Sequence, residues 1–204
     1  RRFRFYGLMA IIASLCFLAI LFGDIVRKGY TAFQQTFVQL EVFFNPEDFA
    51  GEDLGTADYA GLVKRGMRDI FPAVTSSRDR RALYALISSG PSYQLRDLLL
   101  KDPDLIGKTV PVWVPADDDV DMLMKGRMKR TIPAEERRLK DNQLAWIDQL
   151  VAQGRVKKKF NQTFFTAGDS REPELAGIKG SLAGSFYTLL VTLMLSFSIG
   201  VSAA

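Results

Sequence analysis

"GSLAGSFYTLLVTLMLSFSIGVSAA", Gly180 to Ala204, decides the fold class. None of the 24 residues from Ser181 to Ala204 carries a formal charge. At about 1.5 Å per helical residue such a run crosses a hydrocarbon core of roughly 30 Å, so the stretch predicts a transmembrane helix. Ser181, Ser185, Thr188, Thr192 and Ser196 follow one another at intervals of three or four residues and share one helical face. Gly180 and Gly184, with Gly177 beyond them, widen that face at its outer end. Small and hydroxyl residues let membrane helices approach closely and hydrogen-bond across the contact. The face therefore reads as a helix-packing surface rather than the lining of a polar path.

The opposite end of the chain has the same character. Arg1, Arg2 and Arg4 precede an uncharged run from Phe5 to Gly23 rich in Leu, Ile and Phe. A secretory leader has a shorter apolar core and a small-x-small cleavage site, whereas bulky Ile20, Leu21 and Phe22 lead directly to Gly23-Asp24. A retained first span is the better reading, and the arginine cluster places its flank in the cytoplasm by the positive-inside rule. Everything between the spans then lies on the far side of the membrane. That segment holds all 23 acidic residues and 24 of the 27 basic ones, so the overall charge of +4 comes mostly from the cytoplasmic arginines and does not imply nucleic acid as a partner. The first residue is not Met, and the reading expects an excerpt of a longer chain.

Three regions follow: a flank and first span at 1–29, an extracytoplasmic α+β domain at 30–176, and a second span at 177–204. The expected fold class is thus a membrane protein in which two transmembrane helices flank an α+β extracytoplasmic domain. Inside the domain, Val38, Leu40 and Val42 alternate with Gln39 and Glu41 and predict a strand over Thr36–Phe44, stopped by Pro46. Tyr59, Leu62, Val63, Met67, Ile70 and Phe71 fall at helical spacing before Pro72. Ser77 and Ser92 are candidate caps for two further helices, carrying Leu83, Leu86 and Ile87, then Leu95, Leu98 and Leu99. Thr109–Pro115 is β-rich, and Pro111 makes it an edge strand. The longest soluble helix is expected from Pro133 to Gln153, with Leu139, Trp146, Ile147, Leu150 and Val151 as its apolar stripe and Gly154 at its C′ position. Val156 to Phe164 alternates again and predicts a last strand.

Little in the domain suggests covalent chemistry. The chain has no His, and its one Cys, Cys16, lies in the first span, so the domain holds neither the commonest general base nor a disulfide. No P-loop, nucleophile elbow or thiol pair occurs, and no catalytic, cofactor-binding or metal residue is assigned. Asp117, Asp119 and Asp121 match the first ligands of a calcium loop, but Met122 and Met128 stand where its Gly and bidentate acid belong. They read as acids at a helix N-terminus, as do Glu135 and Glu136. The basic groups Arg78-Arg80-Arg81, Lys125-Arg127-Lys129-Arg130 and Lys157-Lys158-Lys159 read as solvated faces.

The approach "FFTAGDSREPELAGIKGS" (Phe164–Ser181) and the following "GSFYTLLVTLMLSF" (Gly184–Phe197) resemble the start of the permease core in the A-type permease family of phosphate ABC importers (PstA). The "RRFRFYGLMA…KGYTAFQQT" opening is similar to the extra N-terminal region of one branch of that family. The family pattern has Pro where this chain has Ser198. The resemblance implies a multi-pass protein of the bacterial inner membrane that takes part in ATP-driven phosphate import. Its partners would be a second permease subunit, a cytoplasmic ATPase subunit and a periplasmic phosphate-binding protein. ATP hydrolysis would belong to the ATPase, so the chain itself is expected not to be an enzyme and to need no cofactor. None of the quoted residues matches a phosphate-contacting position. The rival from another class is a two-span membrane sensor or receptor with an extracytoplasmic ligand-binding domain.

Overall fold

The computed structural model describes residues 2–50 and 53–203. Arg1 and Ala204, the outermost residues of the two expected spans, lie outside them. Helix α1 runs over Arg2–Gly29 and helix α8 over Lys179–Ala203, and both are long and apolar enough to cross a membrane. Neither buries its apolar side chains against the rest of the protein.

Between them lies a small α+β region built on a three-stranded antiparallel sheet. Strand β1 (Gln34–Phe43) is central, with β2 (Thr109–Pro115) on one side and β3 (Val156–Phe160) on the other. Val38 pairs with Val114 and Leu40 with Val112, while Gln34 at the start of β1 pairs with Phe160 at the end of β3. The alternation seen in the sequence survives as burial: Val38, Leu40 and Val42 are at most 1% exposed, whereas Glu41 and Phe43 face solvent. Pro111 sits in β2, an edge strand, where its missing N–H costs no ladder bond.

The helices pack against the buried face of this sheet. Helix α2 (Tyr59–Ile70) brings Leu62 and Met67 onto β1, capped by Asp58, whose carboxylate accepts the Gly61 N–H at 2.9 Å. Helices α3 (Ser77–Tyr84) and α4 (Pro91–Lys101) add Leu83, Leu95 and Leu99. Their N-cap positions are Ser76 and Gly90 rather than Ser77 and Ser92, because Pro91 occupies the first helical position, where its lost N–H had no partner to bond. Helix α5 (Asp118–Met124) contributes Val120 and Leu123, and α6 (Asp141–Ala152) contributes Ile147 and Leu150. Full burial of each such aliphatic side chain stabilises the fold by about 1.5–3 kcal/mol before conformational entropy is set against it.

Two elements differ from expectation. The helix expected from Pro133 begins only at Asp141, so Glu135 and Glu136 are not first-turn acids. Arg137 and Leu139 are both buried, and residues two apart cannot share a helical face. The Glu136 and Arg137 N–H groups instead close a single turn on the Pro133 carbonyl, and the Lys140 ammonium donates to the Ala134 carbonyl at 2.8 Å. The Gln143 side chain then accepts the Lys140 N–H and starts α6. The C-terminus is as expected: Gly154 has φ +70°, and the Arg155 N–H reaches back to the Leu150 carbonyl at 2.9 Å. Val151, expected in the apolar stripe, is 44% exposed.

The last strand also ends early, at Phe160. Strand β1 begins at Gln34, the partner of Phe160, and past that pair only the Asn161 N–H still reaches the chain before β1, at the Phe33 carbonyl. Asn161 turns the chain instead, accepting the Phe164 N–H on its side chain to start the short helix α7 (Gln162–Thr166).

Candidate functional site

The two long apolar helices leave the region from one end of its sheet. Helix α1 runs through a single 3-10 turn, Tyr30–Phe33, directly into β1. The Asn161 N–H, just past β3, donates to the Phe33 carbonyl at 2.9 Å, and its side-chain amide donates to the Ala32 carbonyl at 3.2 Å. Phe33 stacks on Phe165 with ring centres 5.8 Å apart and meets Phe164 edge-on, and Phe160 stacks on Phe165 at 5.6 Å. Phe33, Phe160 and Phe165 are all exposed, which gives the junction an apolar aromatic collar. Arg127 donates to the Lys28 carbonyl and, at 3.2 Å, to the Thr31 hydroxyl, tying the end of α1 to the loop after α5.

Of the basic groups, Lys157, Lys158 and Lys159 are exposed as expected, whereas Lys125, Arg127 and Arg130 have partners. Lys125 pairs with Asp121, and Arg130 forms a two-pronged pair with Asp148 at 2.9 and 2.7 Å. The hydrogen bond from Arg130 holds the Asp148 carboxyl below its ordinary range. Lys157 and Lys159 lie over the Trp113 ring at 4.9 and 4.6 Å on the open face of the sheet. Partial burial, with the charge of Lys157 second, lowers the Lys159 ammonium.

The segment leading into α8 crosses the start of α5 and there gathers acids. Asp117 caps α5 and accepts the Asp119 N–H at 3.1 Å, as expected of acids at a helix start. One oxygen from each of Asp117, Asp118 and Asp119 lies within 4.8 Å of the others. Asp121 is turned inward, accepting the Thr36 N–H at 2.8 Å while Lys125 balances its charge. From the other side comes Glu174, 7% exposed, whose carbonyl accepts the Gln35 amide at 2.6 Å. Neither oxygen of its carboxylate has a hydrogen-bond partner among the described residues, nor has the buried Thr36 hydroxyl.

These groups line two cavities. One, about 550 Å³, has Lys64, Tyr84, Ser88, Asp117 and Glu172 in its wall; the other, about 360 Å³, has Gln35, Asp118, Asp121, Lys125 and Glu174. Six carboxylates thus converge on a junction where Lys125 and Arg138 supply the paired cationic groups, Arg138 reaching Asp119 at 2.9 Å and Asp118 at 3.5 Å. Burial pushes Asp117 up to about 7; the Asp119 N–H pulls the other way, and the charges of Asp118, Glu174 and Asp119 add to the rise. Sequence reading found the aspartates but missed Glu174. Its one signal was an acid set between Pro173 and Leu175.

The candidate packing face, Gly180, Ser181, Gly184, Ser185, Thr188, Thr192 and Ser196, lies on α8 and is exposed throughout. The Thr188 hydroxyl donates to the Gly184 carbonyl at 2.8 Å and that of Ser196 to the Leu193 carbonyl at 3.2 Å, so both are satisfied within the helix. Ser198 donates likewise to Met194 at 2.8 Å, and α8 continues through it unbroken. Gly177 is not part of that face. It precedes the helix, where a Cβ would stand 2.4 Å from the Ala167 carbonyl oxygen and 2.6 Å from that of Thr163.

Compared with known proteins, residues 1–134 match one family, described as a domain of unknown function, DUF3333. No curated protein and no solved structure matches the chain. The matched stretch carries α1, two strands of the sheet and the Asp117–Asp119 cluster, and ends in the loop before α6. On that span of more than half its length, the chain belongs to the DUF3333 family.

Proposed function

We propose that this chain is part of the permease subunit of an ATP-driven phosphate importer, crossing the bacterial inner membrane with α1 and α8 and holding its α+β region on the outer side. The observation that carries the membrane reading is the departure of two exposed apolar helices from one end of one sheet. A region hung in this way sits on a single face of a bilayer, with both helices entering that bilayer. Two further features agree. The exposed Phe33, Phe160 and Phe165 rings form an apolar collar where the helices leave the domain, a surface suited to contact with lipid. The Thr188, Ser196, Ser198 and Ser202 hydroxyls of α8 bond back onto their own helix, which lipid favours for polar groups that lack another partner.

The transported substrate rests on the resemblance of Phe160–Ala204 to the phosphate permeases. The same resemblance supplies the partners, a second permease subunit, an ATPase and a phosphate-binding protein. Uptake of radiolabelled phosphate tests it in cells whose copy of the gene is deleted and then restored. Restoration should recover uptake at low external phosphate; unchanged uptake in the deletion overturns the transport assignment. Orientation has a separate test. An alkaline phosphatase fusion at Pro115 should be active, and an inactive one overturns the outward placement.

A further inference from the structure

We propose that the end of the sheet from which the helices leave is seated on the bilayer. The Phe33, Phe160 and Phe165 rings enter the boundary between phospholipid headgroups and acyl chains and give the α+β region a third hold on the membrane, besides α1 and α8. The inference rests on the reading of those two helices as spans and adds what the domain itself touches. It starts from a cluster of a kind that is usually buried. Phe165, on α7, lies between Phe33, from the turn before β1, and Phe160, at the end of β3, with ring centres 5.8 and 5.6 Å away and planes 8° and 10° from parallel. Phe164 meets both Phe33 and Phe165 edge-on. Rings gathered from three elements normally close a core, yet Phe33 is 44%, Phe165 43% and Phe160 61% exposed.

What covers the rings is set by where the chain goes on either side of them. The Ile178 N–H donates to the Phe164 carbonyl at 2.8 Å, so the cluster is one hydrogen bond from the start of α8. The uncharged run of α8 begins at Ser181, only about 4.5 Å of helical rise past Ile178. On the other side, exposed Ile25, Val26 and Tyr30 carry the apolar surface of α1 on to Phe33. Asp24, the one acid on that helix, is neutralised by Lys28 at 2.7 Å. The patch is thus continuous with the apolar surfaces of both spans. Its border is cationic: Arg27 and Lys179 are exposed and have no ion-pair partner among the described residues, and headgroup phosphates supply the missing anions. Lipid is the occupant these neighbours favour, because one bilayer surface meets the rings, both helix exits and the flanking cations together. Two helices alone leave the region free to rock about the line between their exits. A third contact removes that freedom.

The test uses the whole chain in phosphatidylcholine nanodiscs and reads the surroundings of single nitroxide labels. Cys16→Ser removes the one native thiol, and Phe165→Cys, Phe186→Cys and Phe43→Cys then place a label on the collar, on α8 and at the far end of β1. Phe186 and Phe43 are both exposed, so their labels calibrate lipid and water. Relaxation by dissolved oxygen, which concentrates in lipid, is compared with relaxation by a water-soluble nickel chelate. The label at 165 should gain oxygen relaxation and lose most of its nickel relaxation relative to the label at 43, as the label at 186 does. Phe160→Cys repeats the measurement from β3, and a circular dichroism spectrum matching that of the parent shows that each labelled chain is folded. Labels at 160 and 165 that relax like the one at 43, while 186 reports lipid, overturn the seating and leave the spans standing. A label at 186 that reports water overturns the span reading and this proposal with it.

Discussion

Gly177→Ala is the substitution that most directly probes how the domain delivers its second long helix. An alanine Cβ at this position would lie 2.4 Å from the Ala167 carbonyl oxygen and 2.6 Å from that of Thr163, whereas carbon and carbonyl oxygen normally approach to about 3.3 Å. Both obstacles are backbone, so no side chain can rotate away. Relief requires the end of α7 and the Gly177 segment to part by about 0.7–0.9 Å. Three hydrogen bonds span that gap: Gly177 N–H to the Gly168 carbonyl at 2.7 Å, Ile178 N–H to that of Phe164 at 2.8 Å, and Lys179 N–H to that of Ala167 at 3.3 Å. A displacement of this size takes most of them past the distance at which such bonds hold. At about 1 kcal/mol net per bond the junction loses about 2–3 kcal/mol.

Hydrogen exchange measured on the intact protein in detergent reads this locally. The amides of residues 177–179 should exchange roughly 30–150-fold faster than in the parent, which is the same 2–3 kcal/mol expressed as an opening equilibrium. Amides of β1 and α2, remote from the junction, should hardly change. Gly180→Ala provides the control, since a Cβ there meets nothing within 4 Å and helix propensity favours alanine by up to about 1 kcal/mol. If Gly177→Ala leaves exchange at 177–179 within about threefold of the parent, the close approach does not constrain the junction, and the argument from contact distance fails.

Two other outcomes are expected. Asp117→Asn should gain on the parent as pH rises: burial lifts the folded carboxyl to about 7 against an ordinary value of 3.8, so its favourable neutral form is fully present below about pH 4 and lost as the pH passes 7. Thermal unfolding at about pH 4 and pH 8 checks this, and a gap that does not change with pH refutes it. In the terminal helix, Thr192→Leu should impair assembly with a partner permease helix more than Leu193→Ile, because it adds bulk to the small-residue face and removes a hydroxyl whose cross-helix bond is worth about 0.6 kcal/mol; equal assembly and equal phosphate uptake by the two variants would show that this face is not an interface.

The sequence revealed features set by local period and hid those set by distant partners. Val38, Leu40 and Val42 could be read as a strand because one side of β1 is buried, and burial writes a two-residue alternation directly into residue choice. Gly154 could be read as a helix end because a left-handed residue at C′ has few alternatives. Residues 133–140 misled for the opposite reason. Pro133, two glutamates and a leucine spell a helix start, but the core claims both Arg137 and Leu139. No local pattern records that the two must point the same way. Phe160–Phe164 misled because a strand needs a partner, and the place where β1 begins is written more than a hundred residues earlier.

Glu174 is the extreme case. Its carbonyl is held by Gln35, 139 residues away, so beyond the flanking Pro173 and Leu175 nothing beside it in the chain distinguishes it from a solvated glutamate. The hidden features are not scattered through the fold. Asn161 on Ala32 and Phe33, Gly177 on Ala167, and Glu174 on Gln35 all belong to the passage from β3 into α8. A domain merely tethered between two helices would need none of these contacts, since a flexible linker would serve. Packing at this passage fixes how the chain enters α8, so the start of that helix is tied to the α+β region rather than hung from it on a free linker.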